Sequence, residues 1–267
     1  MTTAPRRTGR VPIALLLPAL GGLVFLVLPL AGLLWRTPWA TLPQRLTAPD
    51  VVAALKLSLL TASLATLLCL ILGVPLAWLL ARVDFPGRRL ARALITVPLV
   101  LPPVVGGIAL LLALGRRGLL GGWLDSTFGV SLPFTTAGVV VAEAFVALPF
   151  LVISVEGALR GADTRYEEAA ATLGASRWTT FTHVTLPLVA PGIAAGGVLC
   201  WARALGEFGA TITFAGNYPG ITQTMPLAVY QTMESGDLDG AVVLSLILLA
   251  VSVTILAALR DRWLAGP

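Results

Sequence analysis

The sequence is poor in charge. Only 12% of its 267 residues are Asp, Glu, Lys or Arg, against 57% hydrophobic residues and a mean hydropathy of +0.91. Soluble domains carry about a quarter charged residues, so a soluble fold is excluded and an integral membrane protein is expected. His183 is the only histidine, and the two cysteines, Cys69 and Cys200, both fall inside apolar runs. Neither a zinc site nor a disulfide framework can be assembled from these, which leaves the thiols as small packed hydrophobes. The only lysine, Lys56, sits in Ala54-Leu55-Lys56-Leu57-Ser58. It lacks the G-x-x-x-x-G-K-[ST] pattern that cradles nucleotide phosphates, so ATP hydrolysis by that route is excluded for this chain. Internal repeats, Pro/Ser linkers and low-complexity tails are missing too, and a single domain is expected. The period-2 alternation of a membrane barrel is also absent, which leaves helices as the structure that satisfies its backbone in lipid.

What the sequence does have is long apolar runs. A hydrocarbon core of roughly 30 Å needs about 20 apolar residues per helical span. Six stretches qualify: Val11 to Leu34, Ala54 to Ala81, Ala93 to Gly115, Thr136 to Gly157, Leu186 to Ala204 and Gly240 to Leu259. The first is too long for a signal-peptide core, and Trp35-Arg36 does not resemble a small-residue cleavage site. Residues 1–53 then read as N-terminus, first span and loop, 54–259 as a five-helix core, and 260–267 as a tail.

Short cytoplasmic segments are enriched in Lys and Arg. With the N-terminus inside, the inner side holds Arg6, Arg7, Arg10, Arg82, Arg88, Arg89, Arg92, Arg160, Arg165, Arg177, Arg260 and Arg262, twelve in all. The outer side holds Arg36, Arg45, Lys56, Arg116 and Arg117, five. Both termini are therefore expected in the cytoplasm. The net charge of +5 is accounted for by anchoring beside anionic lipid, with no nucleic acid required.

The loop between the fourth and fifth spans, "EEAAATLGASRWTTFTHVTLP" over 167–187, is unusually polar. Thr164 and Glu167 have the spacing of a capping box, Glu168 to Leu173 continue as a short helix, and Gly174 suits a left-handed end. Ser176 can start a second helix, which Pro187 is expected to close by restricting Leu186. Alanines at 169 to 171 give the first helix a low profile that permits close approach by a partner. The same residues would also suit a solvated connector that touches nothing.

Glu168-Ala169-Ala170, then Gly174, Val184 and Leu186-Pro187, resembles the EAA-x3-G-x9-I-x-LP motif of ABC-importer permeases, with Val184 for Ile as the one departure. The resemblance implies an all-α membrane protein of six transmembrane helices with the type I importer permease fold. In that family the motif helix docks in a groove of the ATPase subunit, which would place Glu167, Glu168, Ala169, Ala170, Gly174, Val184, Leu186 and Pro187 at the coupling surface. A secondary transporter or channel would explain the spans but not this motif. An intramembrane hydrolase would need a nucleophile and base facing each other within the membrane.

Two further stretches bear on the cargo. Pro98, Pro102, Pro103, Gly106 and Gly107 should kink or break the third span, and broken membrane helices are found where they line a cavity or are covered by protein. Arg203 and Glu207 lie four apart, on one helix face, and an ionisable pair at such depth faces a bundle interior by default. Glu143 in the fourth span is a further buried carboxyl, for which the sequence offers no partner. Pro102 to Gly107, Leu205 to Ala210 (with Glu207, Phe208 and Gly209) and the Gly216-Asn217 segment resemble the molybdate/tungstate importer permeases, and sulfate/thiosulfate permeases share much of the pattern. The resemblance implies a multi-pass protein of the cell membrane that forms a homodimer around an axial pathway. Pro102, Pro103, Gly106, Gly107, Arg203, Glu207, Phe208 and Gly209 would line that pathway. It also implies an extracytoplasmic oxyanion-binding protein and a cytoplasmic ATPase dimer that holds the ATP and Mg, with no cofactor in this chain.

Overall fold

The structure is a computed structural model, and it describes residues 13–264. Arg6, Arg7 and Arg10, and the tail residues 265–267, lie outside the described residues. Within them, every regular element is a helix: α1 (Ile13–Arg36), α2 (Leu42–Leu46), α3 (Pro49–Arg82), α4 (Arg88–Val100), α5 (Pro103–Leu114), α6 (Gly121–Phe128) and α7 (Thr136–Gly161). There follow α8 (Arg165–Thr172), α9 (Arg177–Thr180), a π-helical segment (Phe181–Thr185), α10 (Leu186–Leu205), α11 (Gly209–Ala215), α12 (Met225–Glu234) and α13 (Leu238–Leu264). Five helices are long and apolar enough to cross a membrane, and a sixth span is made if the bent pair α4 and α5 is taken as one.

That pair turns by 120° at its break, so of the kink or break expected of the third span the structure shows a break. Pro102 and Pro103 supply no N–H, and each proline forces its predecessor toward extended backbone. Leu101 and Pro102 accordingly both have ψ of 132°. The helix before the break also starts earlier than the apolar run, at Arg88, so Arg88, Arg89 and Arg92 lie on α4.

The core is built on α7, which packs against α3 and α10. Lipid gives apolar side chains no reason to associate, so membrane helices rely on small residues that let backbones approach closely. On α3 the buried positions Ala65, Cys69, Gly73 and Ala77 recur every four residues, and side chains of Leu148, Leu151 and Val152 fill the space a Cβ at Gly73 would need. On α10, Gly192 abuts Ala158 and Gly196 abuts Ser154, both of α7. Cys69 and Cys200 join this same cluster as buried free thiols, with Cys69 Sγ donating to the Ala144 carbonyl at 3.4 Å.

By contrast α1 buries none of its most apolar stretch and packs against α13. A polar fastener closes the end of the bundle where α2 and α13 meet. Arg45 Nη1 donates to Asp237 Oδ2 at 2.8 Å, and the Gly240 N–H donates to Oδ1 at 2.9 Å. The guanidinium first, and then the Gly240 N–H, hold the Asp237 carboxyl below its ordinary range.

Candidate functional site

The polar loop after α7 folds as helix, turn, helix, with its first cap made differently from the expectation. Thr164 makes no side-chain cap bond. Instead Asp163 Oδ1 accepts the Arg165 N–H at 3.0 Å. Glu167 does not reach back to close a capping box either. Its Oε1 accepts from Arg82 Nε and Nη2, at 3.3 and 3.1 Å, and from Thr185 Oγ1 at 3.0 Å. A cap bond would give the carboxylate one uncharged N–H donor, whereas Arg82 offers two N–H groups that also carry the opposite charge.

The far end of α8 behaves as the sequence predicts. Gly174 has φ of +81°, a conformation that costs a residue with a Cβ roughly 1–2 kcal/mol. Its N–H bonds the Ala171 carbonyl and that of Ala175 bonds the Ala170 carbonyl, each at 3.0 Å. This is the double bond of a Schellman turn. Ser176 Oγ then accepts the Thr179 N–H at 3.1 Å and starts α9.

Pro187 does not end that helix. The chain continues from α9 through the π segment into α10, because Leu186 donates to the carbonyl of Phe181, five residues back. A proline ring clashes with the carbonyl four residues before it and supplies no N–H. The wide turn places the ring where neither matters, and Val184, Leu186 and Pro187 become the foot of the span.

The outward side of this loop is apolar and open. Leu173 is 89% exposed and Trp178 72%, with Tyr166 also exposed. Glu168 and Ala169 are exposed and Ala170 half-buried, so the low alanine surface is presented outward. Glu168 makes no side-chain ion pair among the described residues, whereas Glu167 faces inward.

The second group of expected residues comes together around α5 and α11. Gly209 lies against Pro103, where a Cβ would sit 2.8 Å from the proline Cβ. Gly107 lies against α11, where a Cβ would sit 2.7 Å from Thr213 Cβ and 2.9 Å from the Ala210 carbonyl oxygen. Gly106 faces the ring of Phe145 on α7. Glu207 is 1% exposed. One of its oxygens accepts the Ala210 N–H at 2.8 Å, capping α11, and the other is paired with Arg203 Nη2. The pair thus closes the α10 to α11 corner. Phe208 stacks toward Tyr230 at 5.1 Å, and the two line a groove of about 530 Å3 beside Met233 and Ser252. Pro102 and Pro103 themselves are exposed.

Two buried carboxyls find partners far along the chain that the sequence does not indicate. Glu143, also 1% exposed, accepts from Thr61 Oγ1 of α3 at 2.9 Å, while its second oxygen has no partner among the described residues. Glu156 is held by Arg92 Nη2 at 2.7 Å and Arg160 Nη2 at 2.8 Å. Thr61→Val should leave Glu143 with no described hydrogen bond and cost about 1–3 kcal/mol. A thermal unfolding series in detergent checks this, and an unchanged midpoint would remove the bond from the list of stabilising contacts.

Comparison with known proteins sets this geometry in context. The model of the family described as "binding-protein-dependent transport system inner membrane component" matches residues 73–265. The molybdenum transport system permease protein ModB of Mycobacterium tuberculosis is 50% identical over 246 residues, covering 92% of both chains. The sulfate transport system permease protein CysT of Escherichia coli is 38% identical over 240 residues, 89% of this chain and 86% of that one. Among solved structures, a bacterial alginate ABC transporter in complex with an alginate pentasaccharide-bound periplasmic protein contains a chain of the same fold. The TM-score is 0.76 at 19% identity, with 96% of each chain covered.

Proposed function

The chain belongs to the family of binding-protein-dependent transport system inner membrane components, and from that premise we propose that it is the permease subunit of an ATP-driven importer for molybdate and tungstate. The observation that carries the coupling is the exposed face of α8. Glu168 and Ala169 stand exposed with Ala170 half-buried, and Leu173 and Trp178 are open on the same loop, a low surface with apolar neighbours suited to a protein groove. In this reading the α8 end and both termini face the cytoplasm of a bacterial cell. There an ATPase dimer, holding ATP and Mg, receives α8 from each of two copies of this chain. An extracytoplasmic oxyanion-binding protein delivers cargo at the other end.

The pathway is assigned to the faces around Pro102, Pro103, Gly106 and Gly107 and around Arg203, Glu207, Phe208 and Gly209. In it, Arg203, paired with the buried Glu207, sets the corner between α10 and α11 rather than binding cargo as a free cation. Molybdate is favoured over sulfate by the higher identity, 50% against 38%, at similar coverage.

The deciding experiment is uptake into proteoliposomes containing the permease, its candidate ATPase and the binding protein, with molybdate, tungstate and sulfate in parallel. Uptake of molybdate and tungstate only with ATP is expected. A preference for sulfate would move the substrate and keep the mechanism, and flux without ATP would replace the importer reading with a secondary transporter.

A further inference from the structure

Glu167 and Glu168 are neighbours on α8 with opposite surroundings. Glu168 projects outward. The Glu167 side chain is 19% exposed and its Oε1 gathers three hydrogen bonds, two from Arg82 and one from Thr185. Arg82, 14% exposed at its side chain, is the last residue of α3. Thr185, buried, is the last residue of the π segment. One carboxylate oxygen therefore joins α8, the end of α3 and the foot of α10. Among the described residues, no other side-chain hydrogen bond or ion pair links α8 to a long helix.

The element at the foot of α10 can yield. A π segment holds its backbone by bonds five residues apart, and such wide turns are frequent at functional sites. Leu186 already bonds Phe181 in this way, and Pro187 has no N–H with which to restore the tighter register. Thr185 Oγ1 also lies 3.5 Å from the Thr180 carbonyl, so its hydroxyl has a second acceptor within the same wide turn. The adjoining wall is aromatic: Phe181 sits edge-on to Trp78 of α3 at 6.0 Å. A displacement of α8 thus meets a charged tie at α3 and a deformable turn at α10.

We infer that Glu167, Arg82 and Thr185 form a strut that carries movement of α8 into α3 and α10, so that these three are positioning residues for coupling while Glu168 faces the partner. The assignment rests on the importer reading, since it needs a partner that moves α8. The ion pair is mostly withdrawn from water, so it is screened less than a surface pair. Arg is also the side chain whose planar fork holds direction as well as charge. Removing either charge leaves α8 packed against α9 and the π segment but frees it to move without pulling the spans.

The test uses the reconstituted complex with Glu167→Gln, Arg82→Gln, Thr185→Val and the charge exchange R82E/E167R. Co-purification of the ATPase, ATP hydrolysis and anion uptake are read in the same preparation. The two Gln variants should keep the ATPase bound and hydrolysing while anion moved per ATP falls about tenfold, within the usual range of a coupling energy. Thr185→Val should fall less, and the exchange should recover most of the loss. Wild-type transport per ATP in Glu167→Gln would overturn the strut. So would loss of the ATPase from that variant, which would make Glu167 a docking residue, or an exchange as poor as the single variants. Wild-type vesicles that take up no oxyanion with ATP would instead sink the importer reading. In that case amide exchange of the permease alone in nanodiscs still decides the strut. Glu167→Gln should speed exchange across residues 165–172 about tenfold without changing α7, and unchanged exchange overturns the tie.

Discussion

Uptake is expected to fall to background in Glu168→Lys although the protein inserts and folds as before. The side chain makes no ion pair or hydrogen bond to the rest of the described chain and points into solvent, so an exchange of charge there has little to disturb within the fold. Surface substitutions of this kind usually stay within about 0.5 kcal/mol. Against a partner groove the same change turns an attraction into a repulsion at a desolvated contact, where like charges cost several kcal/mol. Gly174→Val should give the same transport defect by a different route. At φ of +81° a β-branched residue is strained by at least about 1–2 kcal/mol, and relief of that strain breaks the bonds from Gly174 to Ala171 and from Ala175 to Ala170. The chain then leaves α8 in a different direction. Gly174→Asn, which tolerates the left-handed conformation, should transport nearly normally. The readout is uptake per unit of membrane-inserted protein. Normal uptake by Glu168→Lys would remove α8 as the docking element.

A large loss of stability is expected from Gly107→Val. Here the first atom beyond Cα would meet Thr213 Cβ at 2.7 Å and the Ala210 carbonyl oxygen at 2.9 Å. Backbone cannot swing aside as a side chain does, so α5 and α11 must separate. Overpacking a tight interface costs about 1–3 kcal/mol and at times more, and a valine adds two methyl groups beyond that first contact. The preceding glycine provides the control. A Cβ at Gly106 meets only the Phe145 ring, at 3.2 Å, and a ring can turn by the few tenths of an ångström required. Gly106→Ala should therefore melt close to wild type in detergent, while Gly107→Val should melt far lower or fail to accumulate in membranes. Equal melting of the two variants would mean that α5 and α11 are not held as closely as their contact implies.

Much of this arrangement can be read from local sequence, because the signals are local. The apolar lengths place α1, α3, α7, α10 and α13. Pro102-Pro103 marks the break after α4, Gly174 marks the left-handed end of α8, and Ser176 marks the start of α9. Arg203 and Glu207 meet because four residues is the reach of one helical turn. What escapes is set by residues far apart in the chain. Thr61 finds Glu143 across 82 positions, Arg82 finds Glu167 across 85, and Arg92 finds Glu156 across 64. Glu167 is the instructive case, since its spacing from Thr164 satisfies a capping box and only the approach of α3 supplies the stronger partner. Pro187 misleads for a related reason. A proline ends a helix only if the helix cannot widen, and Phe181–Thr185 just before it do. The segment between α10 and α13 is likewise buried in a way that apolar run length does not mark. Both α11 and α12 are too short to cross a membrane, but Phe214, Ala215, Met225 and Leu227 are fully buried.

The bare surface of α1 bears on the order in which the molecule is put together. This helix touches α13 and leaves nearly all its described side chains uncovered, so the partner it waits for is synthesised long after it. Roughly two hundred residues separate them, which at 5–20 residues per second is about ten to forty seconds of synthesis. Through that interval α1 must persist in lipid with every backbone group satisfied by its own turns. Its lack of committed side chains makes that possible: an early helix with an unmet polar contact would be drawn to the wrong neighbour, whereas this one can drift beside the growing bundle until α13 arrives.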